Sequence, residues 1–405
     1  MKASEEPLRP SLSMIATYFL KLGATGFGGP IALANYMRTD LVEQRTWLSE
    51  EEYDEGLAIA TACPGPLAYQ LGVYCGYVFR GLAGACTAAI AFAAAPFVLV
   101  CIAAYLYVHF SAAWETRALF YGVGPVVVAL IVKACWNLGR KTLARDYPAW
   151  AFFAAALILT LALQRELTAL FLAAGILGIF VFSTKPDVPA MESSKTAGNT
   201  PLRLHASSLP LLAAVGIGSA LSVGTVAALF VFFFKTGLLV FGSGLVIVPF
   251  LKAYVVDQYH WLSNRQFLDA VAVGMISPGP VVITATFVGF LLGSLPGAIA
   301  ATVGIFLPPF GFTVLGTPVL RKYRSNRHVR GFLRGITVAV VGVLAGTTYL
   351  VGRSTIGDLV TVSVAGVALF VAMRTKIPDQ ALVAFGAVVG LVAYPLVRPE
   401  WMMLR

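Results

Sequence analysis

The sequence predicts an all-α polytopic membrane protein made of two inverted-topology repeats with broken helices. About 12–13 membrane segments fit its apolar runs at about 20 residues each. Three observations predict this: the composition, an internal duplication and a switch in loop charge. Of 405 residues, 58% are hydrophobic and 12% charged, with a mean hydropathy of +0.82. A soluble chain carries about twice that charged share, and one of this size could not hide so much apolar surface. A disordered chain, a disulfide scaffold and an ordinary cytosolic enzyme are excluded.

The net charge is +10, from 29 Lys and Arg against 19 Asp and Glu. These basic residues gather in short loops between apolar runs, which is the positive-inside pattern of membrane proteins. A nucleic-acid partner is therefore not expected. Met1–Pro10 is polar and carries both signs, so no cleavable signal peptide is visible. Cys63, Cys75, Cys86, Cys101 and Cys135 lie in or beside apolar runs without CxxC spacing, so neither a disulfide nor a metal site is expected.

Taken in order, the apolar runs fall at residues 12–37, 55–79, 82–109, 118–137, 148–164 and 167–183. Lys185–His205 is polar and carries Pro186, Pro189 and Pro201, as a linker would. Further runs follow at 208–224, 226–251, 268–292, 294–319, 332–352, 355–373 and 379–397. The expected organisation is a first repeat over 1–184, a linker and linking helix over 185–224, and a second repeat over 225–405.

The duplication is direct. A shift of 214 places Lys21 on Lys235, Phe27-Gly28 on Phe241-Gly242, Trp47-Leu48-Ser49 on Trp261-Leu262-Ser263, and Pro64-Gly65-Pro66 on Pro278-Gly279-Pro280. Thirteen of the 46 positions from 21 to 66 are identical. After one deletion, Gly76 aligns with Gly289 and Pro96-Phe97 with Pro309-Phe310. Loop charge then orients the halves. The basic loop of the first half holds Arg140, Lys141 and Arg145, whereas that of the second holds Arg321, Lys322, Arg324, Arg327 and Arg330. Under the shift, the second basic loop corresponds to the nearly neutral loop near 109–117. Basic loops stay in the cytoplasm, so the halves lie upside down relative to each other. Inverted repeats are a recurrent plan of secondary transporters, with sites at discontinuous helices near the midplane.

Two breaks recur in each half. Gly26-Phe27-Gly28-Gly29-Pro30 answers to Phe241-Gly242-Ser243-Gly244. Such glycine density weakens a helix and lets a ligand approach the backbone; tight packing through small residues explains an isolated glycine, but less well a cluster in both halves. Cys63-Pro64-Gly65-Pro66 answers to Ser277-Pro278-Gly279-Pro280. Here the prolines remove helix hydrogen bonds and force a stop and restart. The restarted helices, from about Leu67 and Val281, would direct free N–H groups inward, where an anion is favoured. Tyr69 and Gln70 follow in one half, Thr284 and Thr286 in the other.

Each PGP segment is introduced by a capping box, Ser49-x-x-Glu52 or Ser263-x-x-Gln266. Trp47 and Trp261 read as interfacial anchors. Lys21 and Lys235 lie about 14 Å inside their runs at 1.5 Å per residue, in a core about 30 Å thick. A charge at that depth is a functional candidate by default, although a lysine can also snorkel. Glu55 and Asp269 are repeat-related and could carry a coupling proton, or serve as helix-dipole partners. The histidines fall in loops, which argues against a metal site or histidine relay within the membrane.

The repeated FGG/FGS–G break, the W-L-S sequence and the PGP segments resemble the chromate transporter superfamily, in its long two-domain bacterial form, over about 12–183 and 225–397. The resemblance implies a multi-pass inner-membrane protein that exports chromate, driven by the proton-motive force, and so confers chromate resistance. It carries over Phe27, Gly28, Pro64, Gly65, Pro66, Phe241, Gly242, Pro278, Gly279 and Pro280 as motif residues. With them the candidate substrate site comprises Lys21, Gly29, Gln70, Lys235, Ser243, Ser277 and Thr284. The first repeat has Gly29-Pro30 where the second has Ser243-Gly244, so the halves need not contribute equally. A carrier for sulfate or another oxyanion and a passive anion channel remain as alternatives. An intramembrane enzyme would need a nucleophile beside a base, and no apolar run pairs them. The expected partners are the oxyanion and the lipid bilayer, with a homodimer open and no cofactor.

Overall fold

A computed structural model describes residues 9–27, 29–110, 114–143, 146–163, 167–183, 223–242, 244, 247–323, 326–375 and 377–397. The linker 185–205, residues 208–222 and the candidates Gly28 and Ser243 lie outside these. Fourteen α-helices appear among the described residues. The first repeat holds α1 (Leu12–Thr25), α2 (Gly29–Arg38, continued as a wider π-turn over Thr39–Gln44), α3 (Glu50–Ala62), α4 (Leu67–Phe110), α5 (Trp114–Leu143), α6 (Tyr147–Leu163) and α7 (Leu167–Phe182). The second holds α8 (Val223–Gly237), α9 (Ile247–Phe250, continued as a π-turn over Leu251–Gln258), α10 (Asn264–Ile276), α11 (Thr284–Tyr323), α12 (Arg327–Thr355), α13 (Leu359–Arg374) and α14 (Asp379–Val397). Five helices are long and apolar enough to cross a membrane, and four shorter apolar ones accompany them. The chain is a multi-pass membrane protein.

The first two segments of each repeat do not pass straight through. Arg9 at the foot of α1 bonds Glu52 (2.9 Å) and the Val78 carbonyl, and Arg80 bonds the Pro10 carbonyl (2.8 Å). Residues 9–10, 52 and 78–80 therefore share one face of the membrane. Tyr18, seven residues before the end of α1, lies 6.1 Å from Trp47, which follows the π-turn after α2. A continuous helix would carry Trp47 to the opposite side of the break, so α1 and α2 form a hairpin. In the next pair, the Tyr74 hydroxyl donates to Glu55 (3.0 Å), which brings α3 against the start of α4. This too is a hairpin, with Pro64–Pro66 at its tip. The apolar runs 12–37 and 55–79 are thus re-entrant, a form open to Gly- and Pro-broken segments buried in protein.

The second repeat reproduces this geometry. Phe232 stands 5.9 Å from Trp261, as Tyr18 does from Trp47. The two predicted capping boxes are both closed, Ser49 with Glu52 and Ser263 with Gln266. α4 turns sharply at Arg80 and Gly81, and α11 turns in the same way at Gly293 and Ser294. The tryptophans correct the sequence reading. Trp47 is buried, edge-on to Tyr18 and Phe79 with Arg45 over its ring, because the hairpin folds it inward. Trp261 is half-buried and stacked on Tyr259.

Contacts between repeats settle their relative direction. Arg334 near the start of α12 bonds Asp146 (2.8 Å), which precedes α6, and Ser183 after α7 bonds the Arg327 carbonyl. The ends of α5 and α7 thus share a face with the start of α12, the face of both basic loops. On the opposite face Tyr121 of α5 bonds Asp358, between α12 and α13 (2.7 Å). Tyr107, near the end of α4, bonds Asp269 in the second repeat's hairpin there (2.7 Å). The two pairs of hairpins enter from opposite sides.

Candidate functional site

The four breaks meet. Gly65-Pro66 (β1), at the PGP tip of the first repeat, forms a parallel two-residue bridge with Phe241-Gly242 (β2) of the second, in register Gly65↔Phe241 and Pro66↔Gly242. Reciprocally, the Gly279 N–H donates to the Gly26 carbonyl (3.0 Å). Each PGP tip is thus held by the glycine break of the other repeat. The backbone groups freed by proline find partners in each other, which is how broken helices persist at membrane depth.

Steric fit explains the central glycines. Gly65 has φ +141°, Gly279 has φ +86°, and both values disfavour a side chain. A methyl group on Gly65 would lie 2.7 Å from Cβ of Pro309 and 2.7 Å from Cδ of Gln70; one on Gly279 would lie 3.2 Å from Cγ of Pro96. Pro96 and Pro309 are repeat-related, so each tip abuts the proline of the opposite repeat's long helix. The sequence alignment paired these prolines without assigning them to the site.

Pro66 and Pro280 are buried, and the helices that start beyond them leave N–H groups without intrahelical partners. Gln70, fully buried, donates from Nε2 to the Pro64 carbonyl (2.8 Å). That bond fixes the amide orientation and leaves its Oε1 buried with no hydrogen-bond partner among the described residues. Thr284, its repeat equivalent, is also fully buried and donates to the Val281 carbonyl (2.8 Å). Ser277 caps α10 through its N–H to Val273, while its hydroxyl bonds the Gly274 carbonyl. Pro64 is half-buried, Pro278 is buried, Gly29 opens α2, and Phe27 is exposed.

Other candidates lie apart from the tips. Lys21 and Lys235 occupy exposed faces of α1 and α8, and their side chains make no hydrogen bond or ion pair with a described residue. Glu55 is half-buried with Tyr74 as a partner. Asp269 is 2% exposed, bonded by Tyr107 from the first repeat, with Arg265 at 3.9 Å. Sequence reasoning missed both tyrosines, because neither pairing follows the repeat spacing. It also passed over Lys133, which lies inside α5 and pairs with Asp379 of α14 (2.8 Å). The signal available was a single lysine within the apolar run 118–137, a charge at membrane depth. No cluster able to hold a metal occurs among the described residues.

Two repeats that enter from opposite faces and join through broken helices define a membrane protein on the secondary-transporter plan. A family model described as chromate transporter matches residues 13–179 and 227–391, and the chain belongs to the chromate transporter family. It is 40% identical over 389 residues to a chromate transport protein of Cupriavidus metallidurans, covering 96% of this chain and 94% of that one. A probable chromate transport protein of Synechococcus elongatus is also 40% identical, over 94% and 95% of the two chains. An uncharacterized transporter of Bacillus subtilis is 25% identical over 171 residues, which is 41% of this chain but 96% of its own. No solved structure matches the chain.

Proposed function

We propose that this protein exports chromate across the cytoplasmic membrane, drawing on the proton-motive force, and so confers chromate resistance. The observation that carries the reading is the reciprocal joining of the four breaks, which places the starts of α4 and α11 at one locus. Unpaired N–H groups at a helix start favour an anion, and the names of the two 40% identical relatives supply chromate as the oxyanion. Pro64–Pro66, Gln70, Phe241, Gly242, Ser277–Pro280 and Thr284 line the locus, with Phe27 and Gly29 beside it; Gly28 and Ser243, outside the described residues, complete the proposed set. Lys21 and Lys235 draw the dianion in from exposed faces, and Glu55 and Asp269 carry the coupling proton. The repeats correspond to 1–184 and 225–405, joined through 185–224. The protein acts as a carrier rather than an enzyme, takes no cofactor or nucleic acid, and is compatible with a homodimer.

The test is radiolabelled chromate flux in proteoliposomes with an imposed pH gradient and sulfate as competitor. Uphill, gradient-dependent chromate movement supports the proposal. Downhill flux indifferent to the gradient makes the protein a channel, and preferential sulfate flux makes it a sulfate carrier.

A further inference from the structure

Away from the tips, α5, α6 and α12 enclose a groove of about 510 Å³, within the range of ligand sites. Its lining is apolar apart from Arg140 and the hydroxyl of Thr348, which is spent on the Leu344 carbonyl. By their places along the helices, Val132 on α5 and Ala345 and Thr348 on α12 lie furthest from the basic loops, and Arg140 and Leu143 near the end of α5 and Trp150 near the start of α6 lie nearest them. From Val132 to Arg140 the groove follows α5 for about 12 Å, at 1.5 Å per residue. That is close to the depth of one leaflet, half of a core about 30 Å thick. The Arg140 end is the end of α5, after which Asp146 pairs with Arg334 on the face of the basic loops, which is cytoplasmic by the positive-inside rule. Trp136 and Trp150 are each about half exposed (54% and 49%) at its rim, as tryptophans are at a headgroup boundary. Arg140 is exposed and has no ion-pair partner among the described residues.

We infer that this groove is a binding site for an anionic phospholipid of the cytoplasmic leaflet. An acyl chain occupies the apolar length from Gly139 to Thr348, and the Arg140 guanidinium holds the phosphate. A planar guanidinium suits a phosphate through paired hydrogen bonds, and basic pockets between helices on the cytoplasmic side are suited to acidic headgroups. The groove combines helices from both repeats, so the lipid would tie α12 to α5 and α6. The inference does not depend on chromate transport.

The test is native mass spectrometry of the purified full chain with equimolar phosphatidylglycerol and phosphatidylcholine, beside fluorescence quenching by brominated phosphatidylglycerol. Wild type should retain phosphatidylglycerol at least about fivefold over phosphatidylcholine, as expected of a charge-assisted contact. Arg140→Gln should bring the ratio near one while leaving the protein monodisperse. Ala345→Phe, which fills the groove, should reduce retention of both lipids. Quenching should be weaker when Trp136 and Trp150, two of the six tryptophans, are both replaced by Phe. Equal retention by wild type overturns the inference, as does a ratio unchanged by Arg140→Gln. Quantitative disulfide cross-linking between copies through Trp136→Cys would also overturn it, because the groove would then be filled by a second copy.

Discussion

Replacing Gly65 by alanine perturbs the tip on which the proposed function rests. Two separate costs can be worked from the geometry. At φ +141° a residue with a side chain is strained by about 1–3 kcal/mol. The new methyl would also lie 2.7 Å from Pro309 Cβ and from Gln70 Cδ, and overpacking of this kind costs about 1–3 kcal/mol. Neither neighbour can give easily, since Pro309 lies within α11 and Gln70 is tied to the Pro64 carbonyl. The combined cost of about 2–6 kcal/mol falls on the Gly65–Phe241 bridge, and chromate flux should drop at least about tenfold. Gly81→Ser is the internal control. Gly81 has φ +60°, nothing lies within 4 Å of a methyl there, and its repeat equivalent Ser294 already adopts φ 48°. It should insert and transport within about twofold of wild type, because its cost is backbone strain alone. The assay is proteoliposome flux normalised to inserted protein, with melting temperature as a stability check. Full flux in Gly65→Ala at wild-type stability would refute the reasoning.

Four further outcomes follow from the same geometry. Asp269→Asn should abolish stimulation by a pH gradient while sparing chromate exchange; gradient-dependent uptake at the wild-type rate would remove Asp269 from coupling. Tyr107→Phe removes a donor from a buried carboxylate, at a cost of about 1–3 kcal/mol, and should lower thermal stability, whereas unchanged melting would show that another donor suffices. Lys21→Met and Lys235→Met should each raise the apparent KM for chromate at least about tenfold, since a charged contact is worth about 1.5–3 kcal/mol, and full resistance at wild-type expression would make both lysines mere snorkels. Lys133→Met should destabilise by roughly 1–2 kcal/mol, limited by the partial exposure of the pair, and adding Asp379→Asn should restore stability; a double variant no better than the single would rule out an unpaired Asp379 as the cause.

Much of the architecture is legible because it is written twice. The recurrence of Trp47-Leu48-Ser49 and Pro64-Gly65-Pro66 at a constant spacing marks the repeats, the capping boxes and the tips before any coordinates. Loop charge adds the inversion. What hydropathy could not distinguish is a pair of half-helices that fold back from a helix that passes through, since both read as one apolar run. The joining of Gly65 to Phe241 and of Gly279 to Gly26 also escapes sequence, because it depends on backbone groups rather than side-chain types. Tyr107 reaches Asp269 over 162 positions and has no repeat counterpart to announce it.

The central claim is that re-entrant hairpins enter from opposite faces and meet at their tips. Single cysteines at Ser49, Gly81, Ser263 and Ser294, in a chain with its five native cysteines replaced, test it most directly. A membrane-impermeant thiol reagent should reach 49 and 81 only from the cytoplasmic side, and 263 and 294 only from outside. Finding 49 and 81 on opposite faces would make 55–79 a crossing helix and contradict the account.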